Sequence, residues 1–202
     1  IVTGHRGSVL SLALTPNGRL ALSSSYDKTV KVWDLETGIE LHTLAGHAGS
    51  VDAIAVTPDG RRAVSVSSDA TLKLWDIETG SELLTLQGHR AESTVALLPD
   101  GLHAVSGSLG NTFSEKGDYT LKVWELETGK ELRTLTGHTL GIYAVAVTPD
   151  GRYAVSGSSD STLKVWRLDV DLETTRVPAH GHNVTALVVT PDGRRLVSGS
   201  LD

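Results

Sequence analysis

The chain has 202 residues, 39% hydrophobic and 21% charged, an ordinary globular balance that permits a sizeable core and gives no sign of disorder. Its formal charge of -6 is spread along the whole length without a basic stretch, which argues against nucleic acid and against an anionic membrane surface. No apolar run reaches the length of a membrane span, and no amino-terminal segment has the charged-then-apolar form of a secretory signal, so the cytoplasm is the expected compartment.

Cysteine is absent, excluding a disulfide framework and zinc–thiolate sites, and methionine is absent too, which marks the sequence as a processed or excised piece. Ile1-Val2-Thr3 reads as the outermost strand of a preceding sheet. From His5 onward one unit recurs: His5, His47, His89, His138 and His180 follow at steps of 42, 42, 49 and 42. Trp33, Trp75, Trp124 and Trp166 each lie 14 residues before a histidine and 6 after an aspartate: Asp27, Asp69, Asp118 and Asp160. A period of about 40–45 residues with glycine-histidine and tryptophan-aspartate pairs reads as a propeller array.

The second unit, His47 to Gly88, predicts four strands. Val51 to Val56 is apolar except at Asp52 and suits a strand covered on both faces. Thr57-Pro58-Asp59-Gly60 turns the chain, since proline presets one dihedral and glycine accepts positive φ. Ala63 to Ser67 and Thr71 to Trp75 form the next two strands, and Glu78-Thr79-Gly80 turns into a more polar fourth, Glu82 to Leu86. Polarity rises from first strand to last, which predicts a first strand in the interior and a fourth at the rim. One such sheet cannot bury both apolar faces alone, so neighbouring copies must stack.

The third unit departs twice. It carries eight extra residues between Ser108 and Asp118, including the only phenylalanine, Phe113, and lacks one residue between His89 and Pro99. Both changes fall near loops expected on one face. The fourth unit has Arg167 after its tryptophan and no glycine in the Asp169-Val170-Asp171 turn, predicting a looser hairpin. In the fifth, His180 rather than His182 holds register with Pro191, and the sequence stops at Asp202 before a third strand. Four sheets are therefore expected complete and a fifth incomplete.

The recurring residues explain one another chemically. A buried indole N–H needs an acceptor, and a strand-two serine, a loop histidine and a turn aspartate can supply one connected network. On these residues the chain resembles the WD40-repeat family of β-propellers over essentially its whole length, a single array over 1–202, and its regular wording is similar to highly repetitive prokaryotic members. The resemblance implies an all-β propeller of four-stranded antiparallel blades. It implies structural tetrads at His5, Ser23, Asp27 and Trp33; His47, Ser65, Asp69 and Trp75; His89, Ser106, Asp118 and Trp124; and His138, Ser156, Asp160 and Trp166. A shortened set follows at His180, Ser198 and Asp202.

The resemblance further implies a non-enzymatic scaffold for a protein or peptide. Serine, histidine and aspartate are the residue types of a nucleophilic triad, but five near-identical copies paired with tryptophan point to packing. No phosphate-cradling glycine motif is present, no cofactor is expected, and histidines 42 residues apart fall in different sheets, which disfavours metal. Lys31, Lys73, Lys122 and Lys164 recur at one strand-three position and read as a solvated face. The candidate partner-binding residues are Arg90, Glu92, Phe113, Glu115 and Lys116, joined by Tyr26, Ser68 and Ser159 just before the turn aspartates. Two other readings stand beside this one. The array could form homo-oligomers through unpaired blade edges, or bind a small molecule or sugar, although aromatics make up only 4%.

Overall fold

A computed structural model describes residues 4–89, 92–110, 117–169, 174–178 and 180–202. The chain divides into two compact units, Ile1–Glu92 and Ser93–Asp202. Every regular element among the described residues is a β-strand. In the first unit β1 (Val9–Leu14), β2 (Leu20–Ser25), β3 (Thr29–Asp34) and β4 (Glu40–Ala45) form one antiparallel sheet in chain order. A second is formed by β5 (Val51–Val56), β6 (Arg62–Ser67), β7 (Thr71–Asp76) and β8 (Glu82–Gln87). The second unit contributes a third sheet, β9 (Glu92–Leu97), β10 (His103–Ser108), β11 (Leu121–Glu125) and β12 (Glu131–Leu135). The fourth comprises β13 (Ile142–Val147), β14 (Tyr153–Ser158), β15 (Thr162–Arg167) and β16 (Thr174–Pro178). The fifth holds only β17 (Val184–Val189) and β18 (Leu196–Ser200). This is the all-β fold class of propeller blades, four complete and one incomplete.

Turn chemistry sets these hairpins. In the second sheet Gly60 takes φ +72 and returns its N–H to the Thr57 carbonyl at 2.8 Å, while Thr57 Oγ1 accepts from Arg62 N at 3.0 Å and donates to Asp59 Oδ1 at 2.6 Å. The third sheet has Leu98 where the others have threonine. There the Gly101 N–H still reaches the Leu98 carbonyl at 3.0 Å, and Asp100 Oδ2 takes the His103 ring Nδ1 at 2.7 Å instead.

Burial follows position in the sheet: in the second sheet the first strand is buried or half-buried throughout and the fourth is largely exposed, with the two middle strands deepest. The second and third strands are the deepest: β2 and β3 are buried along most of their length, whereas β1 and β4 are largely exposed. Central strands are flanked on both edges, so they lose water fastest. The first unit's core joins Leu22, Val30, Val32 and Leu44 of the first sheet to Val51 and Ile54 of the second. In the second unit Val105, Leu121, Val123 and Leu135 meet Ile142 and Val145 in the same way. Each fully buried Val or Leu contributes about 1.5–3 kcal/mol, so the stacking of sheets rather than any isolated sheet holds the fold.

Candidate functional site

In each of the four complete sheets the second strand places a serine opposite the third-strand lysine, and the indole two residues further along the third strand reaches back to that serine. Trp33, Trp75, Trp124 and Trp166 donate Nε1–H to Ser23, Ser65, Ser106 and Ser156, each at 2.8 Å. The histidine in the loop before the sheet brings Nε2 to 2.7 Å from the same serine oxygen for His5, His47 and His138. Its Nδ1 faces the turn aspartate, at 2.9 Å for Asp27, 3.0 Å for Asp69 and 2.8 Å for Asp160. In the third sheet the Trp124–Ser106 bond is present and His89 is 5% exposed. In the fifth sheet His180 Nε2 meets Ser198 Oγ at 2.8 Å and its Nδ1 lies 3.3 Å from Asp202, so His180, not His182, occupies the position.

One proton arrangement satisfies every atom. The indole can only donate and the ionised carboxylate can only accept, so His Nδ1 carries the hydrogen, Nε2 accepts the serine hydroxyl proton, and the serine oxygen accepts the indole N–H. Burial lowers the His47 pKa against the pull of Asp69, which keeps the ring neutral. For Asp69 burial alone would raise the carboxyl, but the Thr71 hydroxyl, the Ala48 N–H and the His47 ring outweigh it and hold it at about 2. The serine is no nucleophile here. Ser65, Ser106 and Ser156 are 0% exposed, and in each of these sheets the serine oxygen already accepts an indole N–H.

Three features escaped the sequence reading. Thr29, Thr71, Thr120 and Thr162 cap the second carboxylate oxygen of the turn aspartate, at 2.6, 2.6, 2.6 and 2.5 Å, and the signal was a threonine two residues after every aspartate. The glycine before the loop histidine has a steric reason: a Cβ on Gly46 would lie 2.9 Å from Glu82 Oε2 and 3.3 Å from Trp75 Cη2. The lysine stripe is not a solvated face. Lys31 and Lys73 are 8% exposed, and each donates Nζ to a glutamate and a threonine of the neighbouring strand: Glu40 and Thr43 at 2.7 Å, Glu82 at 2.8 Å and Thr85 at 2.7 Å. Lys122 repeats the clamp with Glu131 at 2.6 Å and Thr134 at 3.2 Å. In the fourth sheet the register places Arg176 opposite Lys164, where the other sheets place threonine.

The candidate partner residues are distributed as follows. Tyr26 is 65% exposed, and its N–H reaches the Ser8 carbonyl at 2.9 Å. Ser68 holds the equivalent position in the second sheet, exposed, with its hydroxyl 2.9 Å from that of Ser50. Ser159, in the second unit, is half-buried and donates its N–H to the Gly141 carbonyl at 2.9 Å. Glu92 opens β9. Arg90, Phe113, Glu115 and Lys116 lie outside the described residues. The base of the inserted segment is described: the Tyr119 ring fills the space where Gly110 and Gly117 would carry a Cβ, 2.2 and 2.1 Å away. Only residues without side chains allow both ends of the insertion to close on that ring.

Next to that serine in the first sheet, Ser24 Oγ is buried and has no hydrogen-bond partner among the described residues. Among the described residues no group of three His, Asp or Glu could hold a metal, and no helix is long and apolar enough to cross a membrane.

The family description "WD domain, G-beta repeat" matches residues 1–34, 38–76, 80–125, 129–167 and 172–202. Among curated proteins, the chain is 48% identical over 44 residues to a probable E3 ubiquitin ligase complex SCF subunit sconB from Penicillium rubens, covering 22% of the chain and 6% of that protein. It is 47% identical over 38 residues to the cross-pathway control WD-repeat protein 2 of Flammulina velutipes, 19% of the chain and 12% of the relative. It is 53% identical over 34 residues to a p21-activated protein kinase-interacting protein 1-like protein of Xenopus laevis, 17% and 9%. The matched stretches thus span a small part of each relative.

Proposed function

Because the chain belongs to the WD domain, G-beta repeat (WD40) family, we propose that it is a non-enzymatic cytoplasmic platform whose exposed turns hold a protein or peptide partner. One observation carries this reading: the reactive side chains are consumed by the scaffold, while the residue just before the turn aspartate is free to vary, being Tyr26 in the first repeat, Ser68 and Ser159 in the second and fourth, and Gly117 in the third. Serine, histidine and aspartate are locked by the indole into a fixed donor sequence, whereas Tyr26 and Ser68 reach solvent at equivalent places. An exposed tyrosine on a rigid turn offers apolar area and a polar tip at low entropic cost. Relatives that share single repeats carry names such as ubiquitin ligase subunit and kinase-interacting protein, which supports partner binding as the kind of task.

Three measurements test the reading. A photo-crosslinking residue placed at Tyr26 or Ser68 is expected to trap partner peptide far more than one placed at Asn17 or Asp59 in the turns at the other ends of the same sheets. Equal trapping at both ends removes these turns from the site. Separately, a fluorophosphonate should leave Ser23, Ser65, Ser106 and Ser156 unlabelled; a labelled tetrad serine would replace the platform with a hydrolase. For the insertion, replacing Phe113 and Glu115 together is expected to weaken capture without loss of folding, and unchanged capture takes that loop out of the site.

A further inference from the structure

The first strands share an irregularity, and the second sheet uses it differently from its copies. The pairing of β1 with β2, β5 with β6, β13 with β14 and β17 with β18 slips after its first pair, which leaves Leu10, Asp52, Tyr143 and Thr185 as the bulged residues. A bulge re-aims its side chain out of the strand's alternation. Leu10, Tyr143 and Thr185 are exposed and uncharged, so the fold requires no carboxylate at this place. Asp52 is half-buried; burial pushes its carboxyl up against the pull of the Ser50 hydroxyl, and Asp69 adds to the rise. The other aspartates of the first unit, Asp27, Asp34, Asp59, Asp69 and Asp76, are all held below their ordinary value. Asp52 has one hydroxyl, and among the described residues no cation pairs with it.

That hydroxyl belongs to a relay. Ser50 Oγ lies 2.9 Å from Asp52 Oδ1 and 2.9 Å from Ser68 Oγ. An ionised carboxylate only accepts, so Ser50 donates to Asp52 and Ser68 donates to Ser50. What remains unfilled is acceptors alone: the second oxygen of Asp52 and the lone pairs of the exposed Ser68 hydroxyl. The backbone around the relay is common to the copies. The Ser68 N–H reaches the Ser50 carbonyl at 3.0 Å, as Tyr26 reaches Ser8 and Ser159 reaches Gly141, both at 2.9 Å. Gly49 lets the loop close on Ser68, since a Cβ there would lie 2.5 Å from its Oγ; a Cβ on Gly7 would lie 3.1 Å from that of Tyr26. The first sheet thus has the same bracket and the same serine, Ser8, with Leu10 and Tyr26 in place of Asp52 and Ser68. The relay is an addition to this frame, not a condition of it.

The geometry points to a binding site for a cationic side chain, the lysine ammonium or arginine guanidinium of a basic peptide, held between the free oxygen of Asp52 and the Ser68 hydroxyl. Such a group brings only donors and a positive charge, which a row of acceptors beside an uncompensated carboxylate lacks. A half-buried acid without a counter-charge destabilises the fold, and an arriving cation relieves it. The site rests on the reading of the chain as a partner-binding platform and adds the chemistry of what one of its turns receives.

The test selects a library of short random peptides on the immobilised 202-residue protein, measures the recovered peptides by fluorescence anisotropy and follows folding by urea unfolding. Peptides bearing lysine or arginine are expected to be enriched. Asp52→Asn and Asp52→Leu, the second taking the residue that the first sheet has there, should each weaken their binding by roughly tenfold or more. The urea midpoint of both should be unchanged or raised, since the fold loses an acid it does not need. Ser50→Ala should weaken binding by a smaller factor. Glu36→Gln, the same change of charge in the exposed turn after β3, should leave it unchanged. Enrichment of neutral or acidic peptides overturns the inference, as do basic peptides that bind Asp52→Asn as well as the parent, or equal losses at Asp52→Asn and Glu36→Gln. A urea midpoint lowered by both Asp52 substitutions would make the residue structural and overturn it too. In each of these cases peptides still bind and the platform reading stands. Recovery of no peptide at all also overturns the site, and the crosslinks at Tyr26 and Ser68 then decide separately whether the platform reading falls with it.

Discussion

Ser23 and Ser24 are neighbours on β2, both buried, and alanine removes the same atom from each, yet the structure predicts opposite outcomes. Ser23 Oγ accepts the Trp33 indole N–H at 2.8 Å and donates to His5 Nε2 at 2.7 Å. Ser23→Ala strands both groups. Trp33 is 8% exposed and the His5 side chain 5%, so water reaches neither freely. At about 1–3 kcal/mol for each unpaired buried group, the loss is about 2–6 kcal/mol. Ser24 Oγ has no partner to strand among the described residues, so Ser24→Ala should be neutral or stabilising by up to about 1 kcal/mol. Urea unfolding followed by tryptophan fluorescence reads both variants, with midpoints compared at equal slope. Midpoints displaced in the same direction by the same amount would refute the assignment of the serine as the junction of the network.

Other consequences are equally direct. Gly46→Ala brings a methyl against Glu82 and Trp75 and should cost about 1–3 kcal/mol by overpacking, visible as a lower urea midpoint. Ala70 sits at φ 69, a conformation that disfavours a Cβ, so Ala70→Gly is expected to raise thermal stability by about 0.5–1 kcal/mol despite the added freedom of the unfolded chain; a lower melting temperature would contradict this. For pH, His47 is depressed below its ordinary 6.5, so the unfolded chain takes that proton first and stability falls as pH drops through about 6.5. Asp69 is held at about 2 against an ordinary 3.8, so its contribution is complete above the ordinary value and is lost as pH falls toward 2. Both act in the same direction: the urea midpoint should be level near neutrality, decline below about 6.5 and drop more steeply below about 4. A midpoint that rises on acidification excludes the proton arrangement described for the tetrads.

What could be read from the amino acids alone was whatever depends on fixed chemistry at fixed spacing. An indole needs an acceptor at one distance, so Trp75, Ser65, His47 and Asp69 announce their meeting wherever the spacing recurs. The strands of the second unit were expected to within a residue or so at their ends, because Thr57-Pro58-Asp59-Gly60 and Glu78-Thr79-Gly80 bracket them. Lys31 was misread because a long charged side chain ordinarily reaches water, and only the neighbouring strand's Glu40 and Thr43 make its burial tolerable. The middle strands are buried more deeply than either outer strand, a depth that polarity along a sequence does not record because it says nothing of how many neighbours flank a strand. Nor can residue type distinguish Leu12 from Ile54: both are apolar, and only the sheet beside Ile54 makes one covered and the other bare. Ser24 was invisible for the converse reason, since a serine without a partner looks like any other.

The turn at Leu98 shows how such an array can drift. Four of the five copies brace this bend with a threonine hydroxyl; the remaining one has discarded it, kept the glycine's return bond to the Leu98 carbonyl, and recruited an imidazole from three positions beyond the aspartate. The bend endures although its vocabulary has changed. The same path of the backbone is thus reached from two different sets of side chains, so the bend rests on the glycine and its return bond more than on whichever group braces the aspartate.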